Sequence, residues 1–251
     1  MASRSALPLS FSIEEIDWKA LGAQPLESET GVFRSTVQEP HTERTHSPHF
    51  VQLKRLSYLD PAGKRRVWEC ASRTTTVLPL LSSSATAPSA PVQLDLVDGE
   101  EVVAFYSNSS SGTVSERSLV LVLQYRPPLR AVALEFPAGL VDPGEQEHPG
   151  EAARRELREE CGLDSTAPVS CSPALAYEPG LTDSRCRLVV MHVDGDAPQP
   201  PAAPEEDEFI QVLVVPLTRL RLTCDLLSLE HAVVIDAKVY SFLLGYEAAC
   251  V

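Results

Sequence analysis

Apolar and polar positions begin to alternate at Phe50 and continue to Leu59, the period-two signature of a half-buried strand. Asp60-Pro61-Ala62-Gly63 follows as a turn, Pro presetting φ and Gly accepting a positive φ, and a second alternating run over 67–77 completes a predicted hairpin. Further strands are predicted over 102–106 and 119–125, joined by a Ser/Asn/Gly-rich tip, and over 132–136, 187–193 and 209–217. Residues 151–161 have helical composition, with Pro149-Gly150 before them and Gly162 at the C′ position. A short helix over 12–21, carrying Ile13, Ile16 and Trp18, and a final helix over 228–244 complete the prediction. Residues 80–93 and the Pro/Ala/acid segment 197–207 read as loops, and most of 1–47 as poorly ordered. Strands mixed with two or three helices give an α+β class or an α/β/α sandwich.

Composition narrows the function. The 251 residues are 43% hydrophobic and 22% charged, ordinary for a globular chain able to bury a core. A net charge of −14 argues against a phosphate-binding basic surface, so no nucleic-acid partner is expected. The longest apolar runs have strand length, so no membrane partner is expected either. Glu14 and Glu15 arrive before any long apolar core, which argues against a secretory or transit leader. Cys70, Cys161, Cys171, Cys186, Cys224 and Cys250 are scattered without a Cys-x-x-Cys pair and read as free thiols. A reducing compartment, cytoplasmic or nuclear, is therefore expected. Asn108-Ser109-Ser110 matches a glycosylation acceptor and is read as chance.

The chemistry concentrates on one predicted helix. Glu156 and Glu160 are four residues apart and share a face about 6 Å apart along the axis, with Glu159 beside them. Three neighbouring carboxylates repel unless a positive charge sits among them, and Mg²⁺ takes such oxygen ligands. The plainer alternative is a solvated charged face paired with Arg155 and Arg158. A glycine-bearing loop before the helix favours the ligand reading, because it lets backbone approach a bound group.

Gly139 to Glu145, then Arg155-Glu156-Leu157-Arg158-Glu159-Glu160-Cys161-Gly162-Leu163, resembles the Nudix box, G-x5-E-x7-R-E-U-x-E-E-x-G-U, U being a bulky aliphatic residue. Nine residues rather than seven separate Glu145 from Arg155: either two residues are inserted around His148-Pro149-Gly150, the favoured reading, or Glu147 takes the Glu position. Tyr125-Arg126-Pro127-Pro128, Glu135-Phe136-Pro137-Ala138-Gly139-Leu140 and Glu178-Pro179-Gly180-Leu181-Thr182 are similar to the ADP-sugar pyrophosphatase branch of that family. So are Asp60-Pro61-Ala62-Gly63-Lys64, Trp68-Glu69, Arg73-Thr74-Thr75 and Val239-Tyr240-Ser241. The likeness covers about residues 50–244 and leaves out the first 47.

The resemblance implies an N-terminal extension over 1–47, a small antiparallel β-rich part over 48–118 that dimerises and shapes the substrate site, and a Nudix α/β/α sandwich over 119–251. It implies Mg²⁺-dependent cleavage of ADP-ribose or a related ADP-sugar to AMP and a sugar phosphate, with Mn²⁺ as a substitute, in a homodimer. The Ala138 carbonyl, Glu156 and Glu160 would ligate metal, with Glu159 close by and Glu208 holding metal or activating water. Glu156, Glu160 and Glu208 are thus the catalytic candidates. Arg155 would brace the loop, and Arg126 would meet phosphate. Adenine would stack on Trp68 beside Glu69 and Arg73, under Phe50 from the other subunit. Leu140 and Glu178 would line the rest of the substrate site, Glu178 standing where the branch usually has Asp. The alternatives are a Nudix pyrophosphatase for oxidised nucleoside diphosphates or NADH, and a non-catalytic nucleotide-binding module.

Overall fold

The computed structural model describes residues 49–74, 96–108, 117–141, 148–165, 168–204 and 209–250, with the backbone of three two-residue strands, Ser10–Phe11, Gln24–Pro25 and Ser35–Thr36. The helix predicted over 12–21, the loop over 80–93, residues 75–77 of the second strand, and Glu145, Glu147 and Glu208 lie outside the described residues.

The strands are β1 (Val51–Leu59), β2 (Arg65–Arg73), β3 (Gly99–Ser107), β4 (Ser118–Arg126), β5 (Ala131–Glu135), β6 (Ala138–Leu140), β7 (Pro168–Cys171), β8 (Leu175–Ala176), β9 (Arg185–Asp194), β10 (Ile210–Pro216) and β11 (Val234–Ile235). The helices are α1 (Glu151–Cys161), α2 (Leu220–His231) and α3 (Ala237–Ala249). β1 and β2 pair antiparallel as a hairpin of their own, Leu56 opposite Trp68. The other strands, with Gln24–Pro25, form a mixed ten-stranded sheet along the path β7-β9-β3-β4-β10. β3, assigned by sequence to the part before residue 119, is central to this sheet because its whole length pairs in parallel with Cys186–Asp194 of β9.

Alternation along β4 sorts the sheet into two cores. Leu119, Leu121 and Leu123 face one side and pack with Leu220, Leu227, Val239 and Leu243 of α2 and α3. Val120 and Val122 face the other and pack with Ala153, Leu157 and Cys161 of α1. A sheet apolar on both faces needs helices on both, and the expected α/β/α sandwich is the result.

The predicted helix over 151–161 forms with those bounds. It ends where Gly162 adopts φ 63° and its N–H bonds to the Arg158 carbonyl at 3.0 Å. A Cβ there would also lie 2.8 Å from the Ala202 nitrogen, so only glycine fits. The helix predicted over 228–244 is a correction. Ala232 turns left-handed at φ 54°, β11 runs in parallel beside β5, and Asp236 starts α3 by accepting the Lys238 N–H at 2.7 Å. The apolar spacing across 228–244 spanned two helices and a strand, and the Val233-Val234-Ile235 run before an N-cap Asp was the overlooked boundary. The strands over 168–171 and 138–140 also escaped prediction, being short and rich in Pro, Ser, Gly or Ala. Among the described residues no helix is long and apolar enough to cross a membrane.

Candidate active site

Strand β6 and helix α1 meet edge to face. β6 is held on β3 in the register Gly99 to Leu140, Glu100 to Gly139 and Glu101 to Ala138. From α1, the carboxylate of Glu160 accepts the Ala138 N–H at 3.1 Å. Glu156 lies one turn earlier, against Gly139, where a Cβ would stand 1.8 Å from its carboxyl carbon. Glycine is needed because the glutamate carboxyl fills the space of a side chain. Glu156 and Glu160 are 9% and 5% exposed, so both acids are turned inward.

The charged face predicted from sequence is divided. Arg155 donates from Nη1 to Glu156 at 2.8 Å and to Glu159 at 3.1 Å, and from Nη2 to the Leu140 carbonyl at 3.2 Å. Partial burial works against its charge, but the carboxylates of Glu156 and Glu159 hold its pKa above the ordinary arginine value. Arg158 turns away to Asp164 at 2.7 Å, which Arg154 also binds at 3.0 Å. Burial would raise the Asp164 pKa, yet the hydrogen bonds from Arg158 and Arg154 carry it below the usual value. Glu159 stays half-exposed.

Substrate-side candidates fall into two groups. Trp68 is half-exposed on β2, and its Nε1 donates to the Gly180 carbonyl at 3.1 Å. Glu178 accepts the Leu181 and Thr182 N–H groups on its backbone carbonyl in the same turn. Ala71 pairs with Thr182, and Ser72 donates to Asp183 at 2.7 Å, so the hairpin is bolted to this turn. Asp98 carries the connection to β6: it accepts from Ser184 and Arg185, and its carbonyl accepts the Val141 N–H at 3.0 Å. Neither Glu69 nor Phe50 joins Trp68 within one chain. Glu69 is next in the strand, points to the opposite face and is held by Arg55 at 2.7 Å. Arg73 shares the Glu69 face at the strand end. Phe50 immediately precedes β1, six residues from Trp68's partner Leu56, about 20 Å at the usual strand rise. Arg126, at the end of β4, makes a two-pronged pair with Glu135 at 2.8 and 2.6 Å. Leu140 is half-exposed at the end of β6, where its carbonyl accepts from Arg155.

Residues 101–237 match the family model described as NUDIX domain. The chain belongs to the Nudix hydrolase family. ADP-sugar pyrophosphatase of Mus musculus is 33% identical over 80% of this chain and 83% of its own. ADP-ribose pyrophosphatase of Saccharomyces cerevisiae is 33% identical over 72% of this chain and 70% of its own. The crystal structure of an ADP compounds hydrolase covers 74% of this chain and 80% of its own, at 23% identity and a TM-score of 0.46.

The Nudix helix is α1, and its donors suit a hard divalent cation. Glu156 and Glu160 could supply carboxylate oxygens and β6 backbone carbonyls, and the side-chain-free position at Gly139 leaves room for the Glu156 carboxyl. Among the described residues no three His, Cys, Asp or Glu side chains converge as a ready-made metal group.

Sequence reasoning missed Glu100 and Glu101, which sit at the head of β3 and are 2% and 3% exposed. Each meets a cation: Arg187 at 2.7 Å from Glu100, and Lys238 at 3.2 Å from Glu101. Burial raises the Glu101 pKa, and Lys238 offsets part of that rise. The available signal was two consecutive acids running straight into an apolar strand, a pattern that places one on each face.

Proposed function

We propose that this Nudix hydrolase cleaves the diphosphate linkage of ADP-ribose and related ADP-sugars, giving AMP and a sugar phosphate with Mg²⁺ as cofactor. The observation that carries the reading is the buried pair Glu156 and Glu160, held against β6 beside the glycine that makes room for them. The names of the two relatives above supply the substrate class. Glu156, Glu160 and the Ala138 carbonyl would hold Mg²⁺, with Glu159 at the rim and Glu208 as the further metal ligand or base. When bound, the metal neutralises diphosphate oxygens and lowers the pKa of an attacking water. Arg155 holds Glu156 in its orientation through a 2.8 Å hydrogen bond. Arg126 would offer a fixed guanidinium to phosphate, balanced by Glu135. Turnover of ADP-ribose, ADP-sugars, oxidised nucleoside diphosphates and NADH, each with Mg²⁺ or EDTA, tests the assignment. AMP released from ADP-sugars only with Mg²⁺ is the expected result, and no cleavage of any of them would leave a binding module. The six free cysteines suit a cytosolic enzyme.

Trp68 is proposed as the adenine platform. Trp68→Ala should weaken adenine-containing substrates by about 1–3 kcal/mol, seen as a raised KM with a smaller loss in kcat. An unchanged KM with a lowered Tm would make the indole a packing group for the 178–182 turn.

A homodimer completes the proposal. The hairpin exposes Phe50, Leu53 and Leu59, at 77%, 88% and 67%. An isolated two-stranded hairpin is marginal in water, and this one offers a partner a large apolar surface. Residues 50–74 also carry six cationic against two acidic side chains in a chain of net charge −14, which suits docking on a second copy. The distance between Phe50 and Trp68 within one chain then has a use, since Phe50 would cover the partner's adenine. Mixing Phe50→Ala subunits with Glu160→Gln subunits should restore activity, because one of the two sites in the mixed dimer carries neither defect. An absence of rescue, or an active monomer on size exclusion, would end the shared-site proposal.

A further inference from the structure

We infer that Glu100 is a positioning residue that sets the Nudix helix against the strand completing the metal site; this rests on the metal-site reading above. Helix α1 begins with Gly150 at its N-cap, a residue with no side chain to satisfy the free N–H groups of the first turn. The missing acceptor comes from the sheet. The Glu100 carboxylate accepts the Gly150 N–H at 3.0 Å and the Ala153 N–H at 3.1 Å, fifty and more residues away in sequence. Its other oxygen, also 3.2 Å from the Gly150 nitrogen, accepts from Arg187 of β9 at 2.7 Å. Both partners of this pair are buried, Glu100 at 2% and Arg187 at 9%.

The same residue holds the other half of the site. The Glu100 backbone lies in register with Gly139, between the pairs Gly99 to Leu140 and Glu101 to Ala138. Main chain thus binds β6, and side chain binds the start of α1. Glu156 follows Ala153 by three residues, about 4.5 Å along a rigid helix. A shift at the cap therefore passes directly to Glu156 and Glu160, while β6 stays where β3 puts it. The relative position of carboxylates and carbonyl is set through one side chain. Arg187 holds that side chain in its aim through the 2.7 Å bond, and a buried carboxylate without such a partner would be strongly disfavoured.

A role in stability alone makes a different prediction, and metal affinity separates the two. Full-length wild type, Glu100→Gln, Glu100→Asp and the double variant Glu100→Leu/Arg187→Leu are titrated with Mn²⁺, free metal being read by electron paramagnetic resonance. Circular dichroism and thermal melts in EDTA report folding. The double variant removes the buried pair without stranding a charge, an exchange that proteins often tolerate. Glu100→Gln and the double variant should fold and bind Mn²⁺ more weakly, on the order of 10–100-fold, the usual cost of losing a group that orients metal ligands. Glu100→Asp, which keeps the charge one methylene short, should recover part of the affinity. In turnover, kcat should fall while KM for the nucleotide holds. Folded variants with wild-type Mn²⁺ affinity and a lowered Tm would overturn the inference. Failure of both Glu100→Gln and the double variant to fold would overturn it as well, by making the pair a determinant of the fold. Wild type that binds no Mn²⁺ would instead remove the metal-site reading beneath it.

Discussion

Glu160→Gln is expected to leave the fold standing and to lower turnover on the order of 10²–10³-fold, the scale seen when one electrostatic contact to a transition state is removed. Glu160 is 5% exposed and accepts the Ala138 N–H, a bond the glutamine oxygen can still accept. The amide lacks the negative charge that a hard divalent cation requires. A loss confined to chemistry is therefore expected, with the melting temperature near that of wild type. Initial rates across a Mg²⁺ titration, with thermal melts on the same samples, check this. Near-normal turnover at saturating Mg²⁺ would show that the helix acids form only a charged face.

Gly139→Ala should cost nearly as much without touching a titratable group. The new Cβ would lie 1.8 Å from the carboxyl carbon and Oε1 of Glu156 and 2.2 Å from its Cγ. The strand is pinned through β3, so the glutamate must swing away and give up its 2.8 Å bond to Arg155. If Glu156 holds metal as proposed, activity should fall on the order of 10–100-fold, the scale seen when the orientation of a metal ligand is lost. Overpacking should take about 1–3 kcal/mol from stability. Steady-state kinetics with Mg²⁺ titration and chemical denaturation measure the two effects. Wild-type kinetics in a folded Gly139→Ala protein would mean that Glu156 does not act from the position it occupies here.

Local signals made much of the fold legible. The hairpin showed as two alternating runs about a Pro-x-Gly turn, and α1 showed as a helical segment closed by Gly162. Both depend on residues close in sequence, where turn and cap preferences operate. The end of the chain was misread for the converse reason. Val233, Val239 and Leu243 all join the same core, but Val233 comes from the connection before β11 and the other two from α3, so their spacing imitated one helix.

The site divides along the same line. Sequence by itself determined that the glutamates share one helix closed by Gly162 and preceded by Gly139, because helix periodicity and motif spacing are properties of contiguous residues. It also determined that the chain is acidic and has a cationic hairpin. Only the tertiary structure decided which charges meet. Arg155 goes to Glu156 and Glu159, while Arg158 goes to Asp164. Glu69 faces away from Trp68, and Trp68 reaches Gly180 more than a hundred residues on. Glu100 carries no local sign of its role, and it becomes the cap of α1 because β9 brings Arg187 beside it and β6 runs along its backbone. Pairing between distant strands is chosen by the burial of whole faces, and that choice sets which buried charge finds a partner.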